Sequence, residues 1–185
     1  MSGSNSADSG PSSVVAYSHR VPSGGIVHIR HLLASFPSGA SNGILTNLKE
    51  QLDVAVLHAG LSADSTDVAG IRRHLEHVVN AIEGTDGANY GDLNGDGDIE
   101  DFGDGVGVLT HAQDRAHALL AADNAADDTV IAAGAALVDT DGKNAEDWAA
   151  LARDQALAAA GTDNLVLAKL LLGPGANTVI SSLDA

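Results

Sequence analysis

Cysteine is absent from this chain. That absence removes disulfides, thiolate zinc sites, iron–sulfur clusters and covalent c-type haem attachment, though it names no redox compartment. Aromatic residues are nearly as scarce, at 3% against 44% hydrophobic residues in all. A core must therefore rest on Ala, Leu, Val and Ile, and Ala-rich helices can approach one another closely. Positive charge is the third deficit: 9 Lys and Arg face 25 Asp and Glu, for a formal charge of −16. This balance argues against nucleic-acid binding, where a basic patch supplies most of the affinity, and against docking on anionic membrane. No run is long and apolar enough to span a bilayer, so membrane insertion is not expected. Residues 1–11 have neither a basic head nor an apolar centre and do not read as a signal peptide. The 185 residues suit a leader over 1–24 and one helical-repeat domain over 25–185, large enough for a proper core.

What is present is concentrated in one stretch, Asp92-Leu93-Asn94-Gly95-Asp96-Gly97-Asp98-Ile99-Glu100-Asp101-Phe102-Gly103-Asp104. Oxygen side chains stand at loop positions one, three and five, Gly97 at position six permits a sharp bend, and Ile99 at position eight can tie the loop to a core. Carboxylate and carbonyl oxygens can replace the water shell of a hard dication such as Ca²⁺ without rigid geometry. Left unneutralised, the clustered carboxylates would repel one another.

The stretch resembles the EF-hand-like calcium loop of dockerin domains. The resemblance places Asp92, Asn94 and Asp96 on side-chain ligand positions, Asp98 on the backbone-carbonyl position and Glu100 on the position that often acts through water. It departs at position twelve, where Gly103 stands in place of an acidic ligand and Asp101 or Asp104 can fill the gap. Dockerins carry two such loops and this chain has one good copy, so the resemblance covers the loop and does not imply cellulosome assembly.

Elsewhere helical periodicity dominates, and the expected fold is all-α. The pattern predicts helices near 27–36, 42–61, 67–83, 106–123, 127–138, 145–160 and 165–172, with a last turn over 178–185. Asp139-Thr140-Asp141-Gly142-Lys143-Asn144 reads as a connector. An internal repeat underlies these helices. His28-Ile29-Arg30-His31-Leu32-Leu33 matches His74-Leu75-Glu76-His77-Val78-Val79 at a displacement of 46, and Gly43-Ile44-Leu45-Thr46 matches Gly107-Val108-Leu109-Thr110 at 64. A fainter copy relates 81–87 to 136–142. Repeated antiparallel helical hairpins forming a bundle, with the calcium loop at 92–104 inserted, account for both observations.

Histidine is the remaining chemical signal. His-x-x-His occurs twice at equivalent positions, and residues three apart share a helix face. If the two helices are neighbours, His28, His31, His74 and His77 converge, with His58 approaching the same layer. Neutral imidazoles suit copper, zinc, nickel or iron, and paired imidazoles can hold a b-type haem beside Leu32, Leu33, Leu75, Val78 and Val79. The same histidines also suit satisfied core or boundary positions. His111 and His117, six apart, read as surface or interface residues. Arg30 and Glu76 occupy equivalent places and are expected to clasp the two repeats; Arg72 and Arg73 are expected to be solvated.

No nucleophile elbow, phosphate loop, dinucleotide fingerprint or His-Glu-x-x-His motif occurs. The expectation is a non-enzymatic, secreted or cell-surface metal-binding domain, with one structural calcium and a histidine site for a transition metal or haem, serving metal carriage or electron transfer. The other reading is a calcium-stabilised structural, adhesion or assembly module with incidental histidines, acting through a homo-oligomer or a protein partner. An enzyme using a histidine-bound metal is a third, without a base or substrate pocket to support it.

Overall fold

The computed structural model describes residues 20–37, 39–125 and 127–173. Among the described residues every regular element is helical: α1 (Ser23–Leu33), α2 (Ile44–Asp64), α3 (Val68–Glu83), α4 (Val108–Gln113), α5 (Ala116–Asp123), α6 (Thr129–Ala160) and α7 (Leu165–Leu171). None is long and apolar enough to cross a membrane. The leader to residue 19 and the turn expected over 178–185 lie outside the described residues, and α1 already begins at Ser23, inside the segment read as leader.

Local signals set several helix ends. Asp67 caps α3 by accepting from the Gly70 N–H at 2.7 Å, and Asn164 caps α7 by accepting from Val166 and Leu167. Two expectations fail. The helix expected over 106–123 is split, because Arg115, His117 and Ala118 donate to carbonyls three residues back and tighten the chain at Asp114 and Arg115 into a turn. The helices expected over 127–138 and 145–160 are one, since the Asp139–Asn144 connector is itself helical within α6. There Arg115 pairs with Asp139 and Glu146, one turn either side of Gly142, and its side chain lies where a Cβ on Gly142 would fall, 2.6 Å from Cδ.

α2 and α3 form an antiparallel hairpin; α1 lies on α5, α5 on α6, and α6 also meets α3, α4 and α7. Two apolar cores result. The larger gathers Leu48, Ile71, Leu75, Val79, Ile82 and Val108 with the alanines Ala149, Ala156 and Ala159 of α6. The smaller gathers Leu32, Ile44, Ala118 and Ala135, with Phe36 and Val138 against them. Close packing here depends on small residues: a Cβ on Gly25 of α1 would stand 2.9 Å from the Ala121 carbonyl of α5.

Helix α3 is buried on all sides from Leu75 to Gly84. Its polar face, Glu76, His77, Asn80 and Glu83, is covered by the segment that comes after it. Glu76 is fully buried and lies between the two histidines of its motif. Its Oε2 accepts from the backbone N–H of Leu93 and Asn94 (3.0 and 3.1 Å), and its Oε1 from that of Glu100 (2.8 Å). Asn80 holds Gly91 and the Glu100 carbonyl. Glu76 therefore anchors the acidic loop and does not clasp Arg30, which is exposed. Arg72 is likewise engaged, donating to the Ala160 and Thr162 carbonyls and to Asp163. Leu93, not the 55%-exposed Ile99, ties the loop to the core.

Candidate metal centres

Six of the seven histidines on the described helices form two triads. His58 of α2 meets His74 and His77 of α3; His28 and His31 of α1 meet His117 of α5. The expected convergence of His28, His31, His74 and His77 on one point does not occur, because α3 pairs with α2 while α1 pairs with α5. His117, read as a surface or interface residue, completes the first pair at the contact of α1 with α5. Thus α3 takes its third imidazole from α2, the helix after α1, and α1 takes its own from α5, in the helical stretch that follows α3.

All six present Nδ1 inward. In the α2–α3 triad, His58 Nδ1 lies 2.9 Å from His77 Nδ1 and 3.3 Å from His74 Nδ1. In the α1–α5 triad, His117 Nδ1 lies 3.0 Å from His28 Nδ1 and 3.4 Å from His31 Nδ1. Three imidazoles on a tetrahedral ion with metal–nitrogen bonds of about 2.0–2.1 Å stand about 3.3–3.4 Å apart. Both triads are close to that spacing. Hydrogen bonding alone serves them less well: in the α2–α3 triad one central N–H would be shared between two acceptors, whereas a dication satisfies all three lone pairs.

The protonation states agree with this. Burial, then the neighbouring His77 and His74, lowers the pKa of His58 to about 4. Burial and His77 lower that of His74, and burial with His31 and His28 lowers that of His117. These imidazoles are neutral at pH 7, the form that binds a metal.

The surroundings differ between the triads. His77 is 3% and His58 8% exposed, whereas His28, His31 and His117 are all half-buried. The Glu100 carboxylate accepts from His77 Nε2–H at 2.9 Å. Since a carboxylate can only accept, a proton sits on Nε2, and the neutral tautomer with that proton turns its Nδ1 lone pair to the triad. Phe102 lies against His58 and His77, with ring centroids 5.1 and 4.5 Å away. Phe36 lies against His31 and His117 at 5.4 and 5.0 Å. The chain has two phenylalanines, and each sits on one triad. The triads are separate sites. Leu32, next to His31, packs with Ile44, and Ile44 and His58 are fourteen residues apart on α2, about 21 Å.

The acidic loop is built as a string of turns. Asp92 accepts from Gly95 and Gly97, Asn94 from Asp96, and Asp96 from Asp98, while Gly97 has a φ of 97°. Asp98 is exposed. Glu100 and Asp104, both expected as calcium ligands, turn their carboxylates to imidazoles: Glu100 to His77, and Asp104 to Nε2 of the buried His111 at 2.7 Å. Among the described residues, three or more metal-capable acidic or histidine side chains come within 4.8 Å of one another in the two histidine triads alone. No family model, curated protein or solved structure matches the chain.

Proposed function

We propose that the protein is a non-enzymatic metal-binding helical domain with two independent three-histidine sites for a first-row transition ion, of the zinc or copper kind. One observation carries this reading: three imidazoles present Nδ1 to a common point, and Glu100 orients one of them from outside. A carboxylate behind a ligating histidine fixes its tautomer and raises its basicity, a recurrent arrangement at metal sites. The charge of −16 favours uptake of cations from solution. The two triads belong to different helix pairs, with Ile44 beside one and His58 in the other about 21 Å apart along α2, which disfavours two-metal chemistry with its ions about 3.5–4 Å apart. Haem fits poorly, since its iron takes axial ligands from opposite faces, whereas these nitrogens crowd one side within 3.4 Å. Metal carriage is the role these features favour.

Titration of the metal-free protein with Zn²⁺ is expected to show two sites. Changing His77→Ala is expected to remove one and His117→Ala the other. A stoichiometry unchanged by either substitution refutes the reading.

A structural calcium in the loop belongs to the same proposal. It is supported by the consecutive turns at Asp92, Asn94 and Asp96 and the sharp bend at Gly97. Glu100 and Asp104 then serve the histidines first. A melting temperature unmoved by calcium or its chelation removes this component and leaves the histidine sites standing.

A further inference from the structure

We infer that metal uptake at His58, His74 and His77 is thermodynamically linked to seating of the loop 91–104 on α3, with Glu100 as the positioning residue that transmits the linkage. The inference rests on the metal reading of this triad and adds a response to it. Three facts converge on Glu100. Its carboxylate holds His77 Nε2, its N–H donates to Glu76, and its carbonyl accepts from Asn80. Glu76 and Asn80 also hold the start of the loop, through Leu93, Asn94 and Gly91. Two residues beyond Glu100, Phe102 closes against His58 and His77.

The loop has little apolar content with which to hold itself down, and its tip from Gly95 to Ile99 is exposed. Its stretch from Gly91 to Glu100 is held by hydrogen bonds to the helical turn that carries the two imidazoles and by Leu93 against the core, while Asp104 at its far end is bonded to Gln51 and His111. When the loop lifts, His77 loses the carboxylate that fixes its tautomer and the triad loses its aromatic wall. Outer partners of this kind are worth about 10–100-fold in metal affinity. Coupling between two equilibria is reciprocal. A metal that binds the seated form about 10–100-fold better must raise the ratio of seated to lifted loop by the same factor. The triad therefore converts metal occupancy into order in an acidic surface segment, and the α1–α5 triad has no part in it.

Backbone hydrogen exchange of the full chain with and without Zn²⁺ tests this. The amides of Gly91, Leu93, Asn94 and Glu100, all bonded to Asn80 or Glu76, exchange when the loop lifts. Zn²⁺ is expected to slow them about 10–100-fold in the wild-type protein. Glu100→Gln is expected to bind Zn²⁺ more weakly at this triad and to gain less than about 3-fold protection, with the α1–α5 triad unaffected. Zn²⁺ bound at this triad, as judged by its loss in His74→Ala, with exchange of these amides unchanged, overturns the linkage and leaves the metal site intact. No Zn²⁺ binding at the triad overturns both.

Discussion

The α2–α3 triad and the α1–α5 triad are assembled from the same parts: a His-x-x-His helix, one further histidine, and a phenylalanine against two of the rings. They differ in cover. α3 is buried on every side over its second half, and its polar face is met by a loop that supplies a carboxylate and a wall. α1 buries only Gly25 and Leu32, and the three imidazoles of its triad with α5 remain half-exposed. An identical ligand set can thus be placed in two dielectric settings by changing the segment that leaves the helix. The covered triad should hold its ion more tightly and exchange it more slowly, because desolvation strengthens the bonds and limits the approach of water.

The largest expected effect comes from removing the anchor of that cover. Glu76→Ala leaves three backbone N–H groups without their acceptor. It is expected to cost about 3–5 kcal/mol, roughly 10 °C in Tm. Zinc titration should then retain the α1–α5 site and lose the covered one; loss of both would show that the two sites are not independent.

Lowering the pH should separate the triads next. His58, His74 and His117 have folded-state pKa values depressed below the ordinary histidine value of 6.5, His58 to about 4. Between pH 6.5 and 4 the unfolded chain therefore binds more protons than the folded one. Stability of the metal-free protein falls as the pH drops through that window. Tm should decrease by on the order of 5 °C from pH 7 to pH 5. His58→Gln should flatten the dependence more than His117→Gln, and equal flattening would contradict the difference in cover.

The smallest effect belongs to the phenylalanines. Phe102 is 58% exposed, so Phe102→Ala should weaken zinc binding at its own triad by less than about 10-fold. Phe36→Ala should act only on the α1–α5 triad. A chelator competition assay that found either substitution felt at the other site would break the correspondence between the two.

Much of this arrangement is legible in the chain and some is not. The Asp67 cap, the stop at Gly84 and the apolar stripe of α3 are local signals, and they place that helix nearly residue for residue. The two His-x-x-His motifs and His58 are visible for the same reason. His117 escapes such a reading because its partners are 86 and 89 residues away and its spacing from His111 suggests no shared face. A usable signal exists: each His-x-x-His helix precedes a helical stretch bearing a further histidine, and the partners are exchanged. The Asp139–Asn144 segment has the composition of a turn, yet turn preference is a weak prior beside the ion pairs that Arg115 makes across it. The acidic loop advertises its oxygens as ion ligands. Nothing in its spacing reveals that Glu100 and Asp104 face imidazoles, because those contacts depend on how the loop folds back over α3 and α4.

The exchange of partners also sets an order of completion. His58 has its two companions within 16 and 19 positions of itself, so a chain growing from its amino end acquires that whole set early, and the wall at Glu100 and Phe102 soon after. His28 and His31 are made first yet wait longest, until residue 117 has emerged. On the proposed reading, the protein during synthesis is for a time a one-ion vessel, and only later a two-ion one.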